Sequence, residues 1–218
     1  MSDAAIRTTT SDPGPIARGA KRASDVIGSL MLIVLLLPVA LLIAVAIAVD
    51  SRGPIVFVQR RVGRRGEEFS LVKFRTMRVD AQAALEEALA RDPGLRAEWE
   101  QTRKLKDDPR VTRVGRVIRR LSLDELPQLL NVLIGTMSLV GPRPVSREEL
   151  VYFGERADSI LAVRPGLTGL WAVSGRSEIT YEERVMLEHR YVTDWSMGLD
   201  VKILLRTVPA VARGHGAY

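Results

Sequence analysis

Asp124 and Glu125 form an adjacent pair of acids inside the segment RLSLDELPQLLNVLIGTMSLVGPRP, residues 120–144, which has arginines on both flanks. A carboxylate can act as a nucleophile and carry a transferred group as a covalent intermediate. Clustered guanidinium groups and a divalent metal can neutralise the non-bridging oxygens and the leaving group of a phosphoryl transfer. These residue types, at this spacing, indicate chemistry on a phosphorylated substrate.

The acid pair also fits a purely structural interpretation. Ser122 and Glu125 match the S-x-x-E capping box, in which two side chains satisfy free backbone donors at a helix start. Pro127 would cost a hydrogen bond in a helix that begins just after Ser122, but it fits the first turn of a helix that begins at Asp124. Spacing alone favours the cap over catalysis.

Composition limits the kinds of site that the chain can hold. Its 218 residues include 32 Lys+Arg and 26 Asp+Glu, a formal charge of +6 that favours anionic partners. There is no cysteine, and the two histidines, His189 and His215, suit surface or packing positions, so zinc or copper is disfavoured. A metal would have oxygen ligands, which makes Mg²⁺ the leading candidate. The GxxxxGK(S/T) and GxGxxG fingerprints are absent.

An apolar segment near the amino terminus, Ile27–Val49, runs for about 23 residues without a charge, enough for one membrane-spanning helix. Pro38 lies at its centre, where it removes a backbone hydrogen bond and favours a bend or a break. Basic residues flank both ends, at 18, 21 and 22 and at 52, 60, 61, 64 and 65, so both ends favour the cytoplasm. We therefore expect a re-entrant hairpin that breaks at Pro38.

Two other interpretations of the apolar segment stay open. A helix that is merely kinked at Pro38 could span the bilayer. A cleaved signal peptide is disfavoured, because the apolar run is too long and arginines follow it.

The remaining elements follow from periodicity and turn residues. Residues 55–59 and 69–74 have the character of β-hairpin strands, and alanine-rich segments around Asp92–Gly94 predict two helices within 80–106. Arginines at 110, 113, 116 and 119 recur at helical spacing, a helix follows the acid pair and ends near Gly135, and an amphipathic helix covers 201–212. GPRP at 141–144 and RPGLTG at 164–169 mark turns whose backbone can approach a ligand.

These elements predict a mostly helical α+β fold, in contrast to a doubly wound nucleotide fold. It combines an N-terminal re-entrant membrane helix-break-helix, a small antiparallel β-hairpin and a helical catalytic core. The predicted organisation is a disordered tail at residues 1–17, the membrane hairpin at 18–50 and a catalytic domain at 51–218.

An ordered set of motifs extends the acid-pair segment over most of the chain: the apolar segment with its central proline, VKFRTM at 72–77, VRPGLTGLW at 163–171, SGR at 174–176 and YVTDWSMGLDVKIL at 191–204. From about Lys21 to the carboxyl end, the sequence resembles the bacterial sugar transferases, the monotopic polyprenyl-phosphate phosphoglycosyl transferases. The resemblance implies transfer of a sugar 1-phosphate from a UDP-sugar to undecaprenyl phosphate or another polyprenyl phosphate, with release of UMP. Such a reaction is the first membrane step of exopolysaccharide or other surface-glycan synthesis.

The resemblance also implies Mg²⁺ as a cofactor and a place in the bacterial inner (cytoplasmic) membrane, among membrane lipids, with the catalytic domain on the cytoplasmic face. The ending RGHGAY is similar to exopolysaccharide-initiating members that use UDP-galactose or UDP-glucose. Because aromatic residues make up 5% of the chain, we expect no nucleic acid partner.

The resemblance implies roles residue by residue. Asp124 would be the nucleophile on the sugar-linked phosphate, and Glu125 would orient Mg²⁺ or take a proton from the lipid phosphate, so both acids are candidate metal ligands. Arg119 matches a phosphate-binding position of the family. Four other residues match cationic positions and are candidate contacts for the nucleotide and its diphosphate: Lys73, Arg143, Arg164 and Arg176. An ordinary structural ion pair is the alternative for each of these cations.

Two positions depart from the family pattern. Leu37 precedes Pro38 where some relatives have serine, so any bend rests on the proline alone. Thr136 stands where many relatives have aspartate, which removes a third acid near the metal.

Two alternatives concern the function itself. The lipid phosphate could attack the donor directly in a ternary complex, without an aspartyl intermediate. A membrane-tethered basic module that binds acidic lipids or nucleic acid without catalysis would have no need of Asp124. The sequence leaves the sugar, the glycan and the oligomeric state open.

Overall fold

The computed structural model describes residues 14–102, 105–175 and 179–213. Its longest element is helix α1, Pro15–Asp50, which starts before the boundary predicted at residue 18. Of the predicted tail, residues 1–13 lie outside the described residues. Among the described helices, α1 is the one that is long and apolar enough to cross a membrane, by length and composition.

The predicted β-hairpin is confirmed. Strand β1, Val56–Val62, pairs antiparallel with β2, Glu68–Phe74. The connecting turn passes through Arg65 and Gly66, whose φ angles of 60° and 76° lie in the left-handed region.

Four short helices follow the hairpin: α2, Ala81–Arg91; α3, Pro93–Thr102; α4, Arg113–Arg120; and α5, Gln128–Ile134. The first two are the pair predicted within 80–106, and α5 ends at Gly135 in a left-handed conformation, near the predicted position. The buried side chain of Asn131 joins α5 to the hairpin. Its amide oxygen accepts from the N–H of Val72 at 3.1 Å, and its amide nitrogen donates to the carbonyl oxygen of Ser70 at 2.8 Å.

A second strand pair, which is parallel, has no counterpart among the sequence predictions. Strand β3, Ser138–Val140, lies beside β4, Gly166–Thr168. A Cβ on Gly166 would lie 2.1 Å from the backbone nitrogen of Gly141, so the two turns GPRP and RPG can meet only with glycine there. The described chain is completed by α6, Ala157–Leu161; α7, Tyr181–Thr193; and α8, Met197–Arg213.

The helix break predicted at Pro38 requires a correction. Helix α1 is continuous, with Pro38 inside it and exposed. A proline inside a helix has a local cost of about 3 kcal/mol. This cost is offset by a face of α1 that packs on the domain on both sides of Pro38, since burying one Ile side chain contributes roughly 1.5–3 kcal/mol. That face consists of the buried Asp25, Ser29, Ile43 and Ile47 and the partly buried Leu32, Ile33, Ala40 and Ala44.

Both ends of α1 are bonded to the same folded domain. At the amino end, Arg22 donates to two carbonyl oxygens in the last turn of α5, at 2.6 and 2.8 Å. At the carboxyl end, the Asp50 carboxylate accepts from the N–H of Val114 in α4 at 3.1 Å. The buried Arg75 donates to two carbonyl oxygens just after the helix. A helix fixed in this way keeps its two ends on one domain.

The described residues form a mostly helical α+β fold with a small antiparallel sheet, which confirms the predicted fold class apart from the helix break. The main core joins both strand pairs to α5, α7 and α8. A second cluster joins α1, β2 and α4, and it lies next to the acid-pair turn.

Candidate active site

The acid pair lies on a tight turn between α4 and α5. The chain passes through Ser122, whose φ of 54° and ψ of 24° are left-handed, and Leu123–Glu125 then form a 3₁₀ turn. The Ser122 side chain makes no capping hydrogen bond, and α5 begins only after Pro127. The capping box that the spacing favours at this position is therefore wrong. A capping box does occur at Thr180 and Glu183, at the start of α7.

Apolar neighbours fix the position of this turn. Leu123 and Leu126 pack into the cluster that contains Ile43 and Ile47 of α1. The acids between the two leucines are thereby held beside the carboxyl-terminal half of α1. The turn that carries the candidate nucleophile is thus built onto the candidate membrane element.

The Asp124 carboxylate is partly buried and surrounded by positive charge. Burial raises its pKa, and the charges of Lys73, Arg119 and Arg143 oppose that increase. Among the described residues, no cation lies within 4.0 Å of this carboxylate. An acid held among cations without a direct ion pair suits the role of a nucleophile.

Lys73 approaches the acid pair from β2. Its ammonium group lies 5.4 Å from the centre of the Phe57 ring, on the opposite strand of the hairpin. Burial lowers the pKa of Lys73, whereas the charges of Asp124 and Glu125 raise it. Burial thus disfavours the charge on both Lys73 and Asp124, whereas the charge of each residue favours the ionised form of the other.

Arg119 reaches the site from the last turn of α4. Its Nε donates to Thr76 Oγ1 at 2.8 Å, and Thr76 is buried just after β2. Burial lowers the pKa of Arg119, and the charge of Asp124 opposes this shift. The helix can approach closely because position 115 is glycine: a Cβ on Gly115 would lie 2.1 Å from the carbonyl oxygen of Thr76.

The other three candidate cations have different surroundings. Arg143, in the GPRP turn, lies over the Trp171 ring at 5.0 Å, and its charge acts on Asp124. Arg164 donates from Nε to the carbonyl oxygen of Gly135 at 2.7 Å, just beyond the end of α5. Arg176 lies outside the described residues. The structure therefore places Arg143 in the charge cluster and gives Arg164 a contact at the end of a helix.

Arg61 of β1 belongs to the same charge cluster, although its place in the sequence indicates only a membrane-flanking charge. Its guanidinium group binds the Glu149 carboxylate at 3.2 Å and donates to Gln59 Oε1 at 3.2 Å. Burial makes the largest contribution to lowering the pKa of Lys73, and the charge of Arg61 lowers it further. Strand alternation could have identified Arg61, because the register sets residue 57 opposite Lys73 and residues 57 and 61 share one face of β1.

The described residues contain no group of three or more His, Cys, Asp or Glu side chains that could hold a metal ion. Two adjacent carboxylates are present, and Mg²⁺ is commonly held by one or two carboxylates together with substrate phosphates and water. Thr136, where a third acid could have stood, donates from Oγ1 to the carbonyl oxygen of Asn131 at 3.2 Å. The two carboxylates of Asp124 and Glu125 therefore fit the oxygen ligands that Mg²⁺ prefers.

His189 has the packing role expected from the sequence. Its Nδ1 lies 2.8 Å from Ser159 Oγ, where α7 packs on α6. His215 lies outside the described residues.

Comparison with known proteins decides the family. Residues 16–214 match the family described as bacterial sugar transferase. The chain belongs to the bacterial sugar transferase family. This confirms the resemblance seen in the ordered motifs, and the matched range runs from the start of α1 to the end of α8.

Three relatives illustrate how this sugar transferase compares with other members. The exopolysaccharide production protein ExoY of Sinorhizobium fredii is 45% identical over 204 residues, which cover 94% of this chain and 90% of ExoY. The UDP-galactose-lipid carrier transferase of Erwinia amylovora is 47% identical over 202 residues, 93% of this chain and 42% of that relative. The UDP-glucose:undecaprenyl-phosphate glucose-1-phosphate transferase of Caulobacter vibrioides is 41% identical over 217 residues, 94% of this chain and 76% of that relative. The chain thus spans less than half of the Erwinia protein but most of ExoY.

Proposed function

We propose that this sugar transferase moves a sugar 1-phosphate from a UDP-sugar to undecaprenyl phosphate or another polyprenyl phosphate and releases UMP. By their names, its relatives act on UDP-galactose or on UDP-glucose with undecaprenyl phosphate, or take part in exopolysaccharide production. Galactose and glucose are therefore the sugars that we propose first. The product would begin an exopolysaccharide or another surface glycan.

The observation that carries the proposal is the position of the Asp124 carboxylate. It is held among cationic side chains, and none of the described cations lies within salt-bridge distance of it. In the first step, an oxygen of Asp124 attacks the phosphorus next to the sugar. An O–P bond forms, and the bond from that phosphorus to the oxygen of UMP breaks. In the second step, an oxygen of the lipid phosphate attacks the same phosphorus, and Asp124 leaves as a carboxylate.

The surrounding cations stabilise the charge that develops during both steps. Lys73, Arg119 and Arg143 act on the phosphoryl oxygens near Asp124. Asp124 and Glu125 would hold Mg²⁺, which would neutralise the charge of the diphosphate. Glu125 would orient this ion or accept the proton of the lipid phosphate.

The outer face of α1 accounts for access to a lipid substrate. It carries exposed apolar side chains along its length, among them Leu30, Val34, Leu41 and Val45. Because both ends of α1 are bonded to one domain, we propose that its exposed apolar face lies in one leaflet of the bilayer and that the helix does not cross the membrane. With the domain on the cytoplasmic face of the inner membrane, the acid pair would meet the phosphate of an acceptor embedded in the bilayer.

The test is UMP release from UDP-galactose and from UDP-glucose in the presence of Mg²⁺ and undecaprenyl phosphate. Native protein should release UMP. Asp124→Asn should release UMP at least about 10³-fold more slowly, because an amide cannot serve as the nucleophile. Equal release from both proteins would refute the assignment of Asp124 as the nucleophile, and no release from either would favour a basic lipid-binding module without catalysis.

A second measurement separates the two enzymatic schemes. In the absence of acceptor, mass spectrometry of protein incubated with donor should find the sugar phosphate on Asp124. An active enzyme that never carries this adduct would favour direct attack by the lipid phosphate in a ternary complex.

A further inference from the structure

A buried ion pair on α7 lies outside the residues assigned above. Arg184 and Glu188 are about one helical turn apart, Glu188 is 1% exposed, and Arg184 Nε lies 3.1 Å from Glu188 Oε1. Among the described residues, neither Glu188 oxygen nor Arg184 Nε or Nη2 has a hydrogen-bond partner of good geometry. Burying such a pair with its hydrogen bonds unmade costs free energy. Stability alone therefore does not explain why the pair is there.

Arg143 connects this pair to the acid-pair turn. Helix α7 packs beside the GPRP turn, because the hydroxyl of Tyr191, about one helical turn after Glu188, donates to the carbonyl oxygen of Val140 at 2.9 Å, and because α7 also contacts the turn that carries Trp171. Burial raises the pKa of Glu188, and the backbone N–H and charge of Arg143 oppose that increase.

The Arg143 guanidinium lies over the ring of Trp171. The Trp171 Nε1 is also buried, and it has no hydrogen-bond partner among the described residues. The same charge acts on Asp124. The charge of Arg143 thus acts both on the carboxylate that would attack phosphorus and on a buried carboxylate of α7.

Like charges surround Arg143 on the side of the hairpin and of α7. Burial makes the largest contribution to lowering the pKa of Arg61, and the charges of Arg143 and Arg184 lower it further, so like charges act on one another here. Arg61 has its own partner in Glu149. Glu188 is the buried carboxylate that acts on the other two, and it opposes their repulsion.

We infer that Glu188 is a positioning residue, which holds Arg143 so that its guanidinium faces the phosphoryl group attacked by Asp124. Glu188 does not touch the substrate, and it acts through the backbone and charge of Arg143. The inference rests on the proposed function, because Arg143 contacts a phosphoryl group only in that reaction.

The kinetic test is a double-mutant cycle on the full chain in a membrane mimetic, with UMP release as the readout. Glu188→Gln should lower kcat/KM for the UDP-sugar at least tenfold, mainly through kcat, and Glu188→Asp should restore part of the loss. Glu182→Gln, exposed on the same helix, is the matched control and should be within twofold of native. In an Arg143→Ala background, Glu188→Gln should cost less than twofold more. Losses that multiply in the double variant, or native activity in Glu188→Gln, would overturn the inference.

A spectroscopic test does not depend on turnover. The chain has three tryptophans, so the W99F, W195F background leaves Trp171, under Arg143, as the reporter. Glu188→Gln should change the emission and acrylamide quenching of Trp171 in the same direction as Arg143→Ala, whereas Glu182→Gln should not. If native protein turns over no donor, the proposed function fails while this measurement still reports on Arg143. If turnover is present and Trp171 is unaffected, the inference alone fails. Loss of folding in both Glu188 variants would show a purely structural role and would also overturn it.

Discussion

At the scale of the single residue, the surroundings of Asp124 favour reactivity at the expense of stability. Burial raises its pKa, so ionisation of Asp124 destabilises the folded state. The stabilising effect of its proton is complete below the ordinary pKa of an aspartate and is lost as the pH rises through the raised pKa of the folded state. We expect Asp124→Asn, which cannot ionise, to unfold at a higher temperature than native protein near pH 8, with the difference shrinking toward pH 4. Thermal unfolding across this range is the measurement, and a less stable variant at the upper pH would contradict the prediction.

Glu188 provides a second and larger pH dependence. Burial raises its pKa from 4.5 to about 7, against the charges of Arg184 and Arg143. The stability that its proton contributes is complete below the unfolded pKa of 4.5 and is lost as the pH rises through about 7, a change of roughly 3 kcal/mol. We expect Glu188→Gln to flatten the decrease in unfolding free energy between about pH 5 and 8, and Glu182→Gln to leave it unchanged. Urea unfolding at each pH measures this, and the idea is wrong if the native and Glu188→Gln curves run parallel.

The sequence identified most, but not all, of the charged residues that the structure brings together around Asp124. Asp124, Lys73, Arg119 and Arg143 were all candidates from their motifs, and the structure places them in one charge cluster. Arg61 is not singled out by the sequence, because four arginines occur within 60–65 and alternation identifies the one that shares a face with residue 57, opposite Lys73, only once the hairpin register is known. That choice depends on the register of the hairpin, which is a long-range property.

At the scale of the element, the close approach of α4 to the chain after β2 determines where Arg119 lies. A Cβ on Gly115 would lie 2.1 Å from the carbonyl oxygen of Thr76, a backbone atom that cannot turn away. We expect Gly115→Ala to destabilise the protein by about 1–3 kcal/mol and to lower the rate of sugar transfer, because α4 must move and carry Arg119 with it. Gly19→Ala is the control, since nothing lies within 4 Å of its added Cβ and alanine favours the helix. Circular dichroism melts and UMP release check both variants, and equal behaviour of the two would contradict the prediction.

Elements with a strong local signal were predicted and elements fixed by distant contacts were not. The hairpin follows from two strand-like runs around a glycine-bearing link, the helices of 80–106 follow from alanine-rich segments around Asp92–Gly94, and the structure has them. The three-residue strands β3 and β4 are too short to show a period, and they pair only because glycines 141 and 166 let the two turns meet. At Pro38 the local signal for a break was overruled by packing along the whole face of α1. At Ser122 the local capping signal was overruled by the anchoring of Leu123 and Leu126.

At the scale of the whole molecule, α1 is joined to the catalytic domain at both of its ends. Lys21 lies 2.7 Å from the buried Asp200 carboxylate of α8, and the Asp25 carboxylate accepts from the N–H of Leu139 at 3.1 Å. At the other end, Arg75 holds two carbonyl oxygens just after the helix. Such contacts have no signature in the local sequence. We expect a helix fastened in this way to keep both of its ends on one side of a bilayer while the domain stays folded.

Cysteine labelling tests this arrangement directly, because the chain contains no cysteine of its own. Ala20 and Arg52 are exposed near the two ends of α1, and Leu37 is exposed at its centre. With a membrane-impermeant maleimide, Ala20→Cys and Arg52→Cys should both react in inside-out vesicles and not in right-side-out vesicles. Leu37→Cys should react in neither until detergent is added, because lipid covers the apolar face. Labelling of positions 20 and 52 from opposite sides would show that α1 spans the membrane. The proposed arrangement, with the acid pair beside both α1 and the lipid phosphate, would then be wrong.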